Sequence, residues 1–451
     1  MRNPVSAWIY IAISVLTVIS AFVYGPELRP VLSGLIILFL ILQFVDLPRG
    51  QKIAGLVMIG IALISAAVSD EWRAIVVDGT ARASLFLLLF FAISWLKYPV
   101  ERSPSLQSVR TYIVEQTPGK RFLYLAFGAH FLGTVLNLAG LSLLTTVLEK
   151  QEDPVQKRRL SVALMQGFTS ASCWSPFYIG MVVVLVALPS LSWGELAPTG
   201  FLMAVLVILA AWIFDRLFLR RGSRRVADGP PAFDGRATFL ASVILLALIV
   251  LVVTPAEMLL VSIPITLGIV APPFALLWYK MQSDRLTLEG ISLTGLAKGV
   301  VTGLPRLRNE TMMFGAATMF GVGVSHILPS ADLSAGLNAL VPWADAKLIL
   351  LIITFTVTSL AGLHPVILVI SLSAIFPPEA LGLTDWIVGL TYLGCWGMCT
   401  MISPFSGTTL FMARVTGVPS HVIGWRWSPP LFLVGVTVVG IVVITARHLT
   451  M

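Results

Sequence analysis

The chain has 451 residues, of which 57% are hydrophobic and only 12% charged, and its mean hydropathy is +0.92. Such a composition excludes a soluble globular enzyme and a disordered chain alike, and implies an all-α polytopic membrane protein. The net charge of +8 sits mostly between apolar runs, where it sets topology; no basic patch interleaved with aromatics marks a nucleic acid as partner.

Apolar runs of about 17–25 residues, each long enough to cross a bilayer, recur along the chain. Four helices are predicted at roughly 5–24, 30–46, 53–69 and 82–97, with no ionisable residue in their interiors, so residues 1–97 read as scaffold. The first follows a lone Arg2 and lacks a small-residue cleavage site, which argues for a retained helix rather than a signal peptide. Segment 121–147 is long for one crossing and contains His130 and Asn137; it is either one tilted helix or a shorter re-entrant pair. Residues 148–160 are expected to form a charged loop ending in Lys157-Arg158-Arg159.

Segment 161–189 is interrupted by GFTSASCWSPF at 167–177. Backbone can go irregular at membrane depth only where protein or a water-lined cavity covers it. Thr169, Ser170, Ser172 and Ser175 supply hydroxyls there, and Ser175-Pro176 has the form of an N-cap followed by proline at the first helical position. A second half-helix beginning at this point aims its positive dipole end into the break. An apolar helix at 196–214 follows, and then a linker at 220–236 rich in arginine. The positive-inside rule places both basic loops in the cytoplasm, so 161–189 is expected to cross as a broken helix; the alternative, a re-entrant hairpin, requires one basic loop to lie outside. With 98–219 as a first repeat, 237–451 forms a second. Its interruptions fall in 346–377, around TSLAGLHP (358–365), and in 385–420, around SPFSGTT (403–409). In all, 11 to 13 spans are expected.

Thr-Ser followed by five residues and then Pro occurs at 169–176 and again, 189 residues on, at 358–365, with Pro365 matching Pro176 and His364 matching Ser175. Arg followed six residues later by Phe-Gly-Ala occurs at 121 and 308. Interrupted segments at matching places in two halves are the sequence pointer to a transporter's binding site. On that basis the candidate substrate-binding residues are Thr169, Ser170, Ser172, Ser175, Thr358, Ser359, His364, Ser403, Ser406, Thr408 and Thr409. Pro176, Pro365, Pro404 and Gly407 mark the breaks, with Ser403 expected to cap the third. The closest first-half analogue of that third break is Pro198-Thr199-Gly200. His130, Asn137 and Arg414 stand behind the site: Asn137 as a helix–helix hydrogen bond or a ligand, Arg414 as a snorkelling arginine or an anion partner.

No acid lies near the centre of an apolar run, so the carboxylate relay usual in proton-coupled carriers is missing. Na⁺ coupling needs only carbonyls and hydroxyls, while His130 and His364 keep H⁺ coupling open. Hydroxyls and half-helix N-termini without acids suit a small anion: a carboxylate, sulfonate or oxyanion. Cys173, Cys395 and Cys399 lie in apolar surroundings and are expected to pack in the core; neither a disulfide nor a metal site is expected.

Two halves each with a Ser/Thr-rich interruption, together with SPFSGTT, resemble the ion transporter superfamily: divalent-anion/sodium symporters, arsenite permease-like carriers and the large membrane subunits of TRAP transporters. The resemblance spans about residues 120–420 and is architectural, since TSASCWSP and TSLAGLHP lack the Asn of the symporters' Ser-Asn-Thr signature. It implies inverted repeats, elevator-type alternating access and a homodimer. The expected protein is a multi-pass secondary transporter of a small anion in a bacterial inner membrane, with no cofactor and no enzymatic activity. The competing classes are an intramembrane enzyme, for which no G-x-S-x-G elbow is present, and a non-transporting membrane subunit.

Overall fold

The computed structural model describes residues 4–23, 27–149, 151–219, 233–283 and 292–450. Most of the arginine-rich linker, 220–232, lies outside the described residues. In chain order the helices begin with α1 (Pro4–Phe22), α2 (Leu28–Gln43), α3 (Arg49–Ser69), α4 (Gly79–Arg82), α5 (Ser84–Arg102), α6 (Pro104–Val114), α7 (Pro118–Leu136) and α8 (Leu138–Leu144). Then come α9 (Thr146–Glu149), α10 (Pro154–Ser170), α11 (Ile179–Ala187), α12 (Trp193–Phe214), α13 (Gly235–Leu259), α14 (Ile263–Ser283), α15 (Leu293–Gly303) and α16 (Arg308–Ile327). The last seven are α17 (Ser330–Leu340), α18 (Ala344–Leu360), α19 (Pro365–Ile375), α20 (Asp385–Ile402), α21 (Gly407–Thr416), α22 (Ser420–Val422) and α23 (Pro429–Thr450). No strand occurs among the described residues.

Local chemistry sets where these helices begin. Asp153 accepts from the Val155 amide at 2.9 Å ahead of Pro154, so α10 starts inside the stretch 148–160 expected to be loop. Ser192 and Glu195 form a capping box at the head of α12, and Thr384 caps α20. Nine helices among the described residues are long and apolar enough to cross a membrane. The protein is therefore an all-α, multi-pass integral membrane protein. Interrupted segments whose arms are too short to qualify singly come in addition.

The chain divides into two compact units. The first comprises Met1–Pro99, Val250–Gly336 and Val369–Ala380; the second comprises Val100–Ile249, Leu337–Leu368 and Leu381–Met451. In the first, Ala62 and Ala66 of α3 pack with Ile75 against Met319 and Val322 of α16, small residues letting the helices approach as they do in lipid. The Tyr10 hydroxyl donates to the Leu87 carbonyl at 3.0 Å, tying α1 to α5.

In the second unit, side-chain contacts reveal the direction of each element. The Arg159 guanidinium lies 6.0 Å from the Phe122 ring, His130 bonds Ser170 and Ser175 bonds Thr134, so α7 and α10 run parallel. At Asn137 the chain reverses: Gly140 packs on the Leu132 carbonyl and Leu144 on Gly128. Segment 118–149 is thus a helical hairpin, the re-entrant alternative of the sequence expectation. Arg159 pairs with Asp215 at 2.6 Å while Gly200 meets the Cys173 carbonyl, so α12 runs antiparallel along α10. Along α20, Gln166 meets Met398, Ser172 meets Leu393, Val184 meets Gly389 and Ser190 meets Asp385. The chain from 166 to 190 therefore progresses along α20 in the opposite sense, and α10–α11 is a broken crossing helix, the first of the two alternatives left open by the charge argument.

Segment 344–375 behaves differently. Asp345 pairs with Arg447 and Ile352 packs on Gly440, so α18 runs antiparallel to α23. Lys347, at the start of α18, donates to the carbonyl of Leu381, beyond the end of α19, at 2.6 Å. A crossing helix would set those residues on opposite faces of the membrane, so this segment turns back at 361–364 as a second hairpin.

Hairpin, interrupted crossing helix and uninterrupted helix thus occur twice along the chain: α7–α9, α10–α11, α12, and then α18–α19, α20–α21, α23, all within the second unit except α19 after Leu368. The pairing that follows is Ser175-Pro176-Phe177 with Ser403-Pro404-Phe405. The 189-residue match is corrected: it sets the break of a crossing helix against the tip of a hairpin. Pro198-Thr199-Gly200 likewise lies within the continuous helix α12 and is no counterpart of the third break. The Arg121/Arg308 match pairs a hairpin arm with α16 of the first unit.

A candidate solute site at two helix breaks

Within the second unit each hairpin tip lies against the break of the crossing helix that follows it. At the first break α10 ends at Ser170, a 3₁₀ turn covers Ala171–Cys173, and α11 begins only at Ile179, with Tyr178 at the N-cap position. The expected helix start at Ser175-Pro176 is therefore corrected. Ser175 donates instead to the Thr134 carbonyl at 2.6 Å and accepts from the Phe177 amide at 3.2 Å, pinning the break to the first hairpin. At the second break α20 ends at Ile402 and α21 begins at Gly407. Its cap is Ser406, whose Oγ accepts from the Thr409 amide at 3.1 Å, rather than Ser403. Ser403 contributes its carbonyl, which accepts from Thr409 Oγ1 at 2.6 Å.

The two crossing helices touch at their interruptions. Ser172 donates to the Leu393 carbonyl at 3.1 Å, and a side chain at Gly397 would collide with the Thr169 carbonyl and Ser172 Oγ. Gly167 gives the same close approach to Ala126. The second hairpin tip joins them: Gly362, at φ +94, packs on Phe405, and the His364 ring lies 5.7 Å from Trp396. Trp396 also packs on Gly180 of α11. His364 Nδ1 accepts from the Val366 amide at 3.3 Å, the same bridge over a proline that Ser175 makes over Pro176.

Most of the candidate hydroxyls are spent within the protein. Ser170 donates to the Gly167 carbonyl at 2.7 Å, Ser172 to Thr169 at 2.8 Å, Thr358 to Thr354 at 2.6 Å, and Thr169 to Gln166 at 3.4 Å. Ser406 donates to the Thr400 carbonyl. Ser359 is buried beside Cys399, and Thr408 is buried in the first turn of α21. His130 has both ring nitrogens engaged. Trp174 Nε1 can only donate, so at 3.0 Å it makes His130 Nε2 the acceptor. Nδ1 then carries the proton and donates to Ser170 Oγ at 2.9 Å. The Trp174 carbonyl in turn accepts from Trp193 Nε1 at 2.7 Å. His130 is thereby a neutral strut across the first break.

Asn137 turns the first hairpin at φ 52 and accepts from the Leu138 amide at 2.9 Å, and Arg414 is exposed in the last turn of α21. The three cysteines are free and buried, and no cluster of metal-ligating side chains occurs among the described residues. Sequence reading passed over Gln166, Trp174 and Trp396. Gln166 is fully buried, its Oε1 lacks a hydrogen-bond partner, and its Nε2 meets only Met398 Sδ at 3.6 Å. A lone carboxamide in an apolar helix was the available signal.

A duplicated set of hairpin and interrupted helix defines a class of membrane fold. The crystal structure of the Alcanivorax borkumensis YdaH transporter, described as having an unusual topology, has the same fold. It matches 86% of this chain and 97% of its own at 13% identity, with a TM-score of 0.61. No protein-family model and no curated protein matches the chain.

Proposed function

We propose that the protein is a secondary active transporter of a small anion, ion-coupled, with alternating access around the two breaks of the second unit, and that this unit is an inverted duplication. The observation that carries the proposal is the antiparallel meeting of two interrupted crossing helices, each with a hairpin tip against its break. Inversion is supported by α7 and α10 running opposite to α18 and α20. The fold shared with a protein described as a transporter supports the class.

Anion preference is supported by what lines the breaks. Residues 130–138, 166–181, 359–364 and 396–409 contain no Asp, Glu, Lys or Arg, so the solute's charge is met by dipoles. The amides of Gly407 and Thr408, in the first turn of α21, are the donors. The Gln166 oxygen and the Ser359 hydroxyl, both buried beside the breaks, lack a hydrogen-bond partner, as polar atoms kept for a ligand do. The test is uptake of labelled carboxylates, sulfonates and oxyanions into proteoliposomes under a Na⁺ gradient, a pH gradient or neither. Concentrative uptake of one class is expected. Uptake of organic cations alone, or none beyond that of empty liposomes, would refute the proposal.

A further inference from the structure

We propose that the first unit holds a binding site for a phosphate-class anion, supplied either by a phospholipid headgroup or by free phosphate, in a cavity of about 580 Å³ at the ends of α1, α2, α4 and α14. The cavity is separate from the breaks of the second unit, and every residue lining it belongs to the first.

Two guanidinium groups reach it. Arg29 stands in the first turn of α2, where a cation opposes the helix dipole, and it bonds Asp78 at 3.3 Å. Arg82 lies one turn beyond Asp78, a spacing that ordinarily pairs the two, yet Asp78 faces Arg29. Arg82 has neither a hydrogen bond nor an ion pair among the described residues. The cavity wall is thus one positive charge in excess. Ser84 also lines the cavity; it is only 4% exposed, and its hydroxyl has no partner among the described residues. Across the cavity, Ser262 occupies the short connection between α13 and α14. The 21-residue α14 begins at the next residue and presents its positive end.

The hydroxyls of Thr17 and Ser20 donate to carbonyls of their own helix at 2.6 and 2.8 Å, so the protons available to a ligand are those of Arg82, Arg29, Ser84 and Ser262. A forked guanidinium flanked by hydroxyl donors matches a tetrahedral oxyanion. The depth agrees: the cavity is bounded by α1 where it ends, α2 where it begins and the connection between two apolar spans, which is the level of lipid phosphates rather than of hydrocarbon.

The test uses the full chain purified in neutral detergent. Binding of phosphatidylglycerol, of phosphatidylcholine and of inorganic phosphate is titrated by native mass spectrometry and by thermal shift, for wild type and for Arg82→Gln and Ser84→Ala. Tighter retention of phosphatidylglycerol than of phosphatidylcholine, weakened about ten- to a hundredfold in Arg82→Gln as one charge-assisted hydrogen bond implies, would establish a headgroup site. Saturable inorganic phosphate binding lost in the same variant, without lipid preference, would establish a free-anion site. Equal binding of all three probes by wild type and Arg82→Gln, with matching melting points in phosphatidylcholine, would overturn the proposal. It would leave Arg82 as a solvated interfacial side chain.

Discussion

Substituting Arg159 by Met tests the claim on which the proposed site rests, that α10–α11 crosses in the opposite sense to α12. Arg159 and Asp215 make two hydrogen bonds of 2.6 Å, with side chains only 4% and 1% exposed. For charge centres about 4 Å apart the attraction is roughly 4 kcal/mol at an effective dielectric constant of about 20. Arg159→Met leaves the carboxylate buried without a counter-charge, and the expected destabilisation is about 3–5 kcal/mol. Asp215→Leu should act in the same direction, softened because Arg159 also lies over Phe122 and bonds Gln156 at 3.3 Å. The double variant removes both charges and should recover most of the loss, to within about 2 kcal/mol of wild type. Equilibrium unfolding in mixed micelles, run as a double-mutant cycle, measures the coupling. A coupling energy near zero, with the two losses simply adding, would mean that the head of α10 and the tail of α12 are not level. The crossing geometry would fall with it.

Further outcomes follow from individual contacts. Cysteines at Lys347 and Leu381 should be joined by a short bifunctional thiol reagent, because the hairpin brings these positions together; failure to join while both sites are labelled singly would restore a crossing helix at 344–375. Gly397→Val puts a side chain into the Thr169 carbonyl and should lower stability by about 1–3 kcal/mol, measured as a fall in melting temperature; an unchanged value would contradict the close meeting of the breaks. Ser175→Ala should destabilise by about 1–3 kcal/mol, because it orphans the Phe177 amide. Ser406→Ala, which removes an N-cap worth about 0.5–2 kcal/mol, should reduce solute uptake beyond its effect on stability; uptake tracking stability alone would take α21's first turn out of the site. Trp174→Phe breaks the bond that holds His130 neutral and should cost about 1–3 kcal/mol, read by the same unfolding assay; a wild-type curve would argue against the strut.

The interruptions at 169–176, 358–365 and 403–409 were legible because hydroxyls and proline stand out against apolar neighbours, and each is a break in the fold. Their caps were misjudged by three residues at both crossing helices. A serine beside proline signals a helix start only if its oxygen is free to accept from the next turn, and Ser175 is committed to Thr134. The basic run Lys157-Arg158-Arg159 read as loop because the partner that makes Arg159 a buried residue lies 56 positions away.

Composition and hydropathy alone determined that this is a multi-pass helical membrane protein, since only helices and closed barrels satisfy their backbone in lipid and apolar runs of about 17–25 residues have the length of helices. Local residue chemistry determined where the helices must break. Whether a broken helix continues across or turns back was decided only by what each arm meets: Ser190 with Asp385 for the first, Lys347 with Leu381 for the second. Those partners are remote in sequence, and identical local strings are compatible with either path, so tertiary packing alone selects between them.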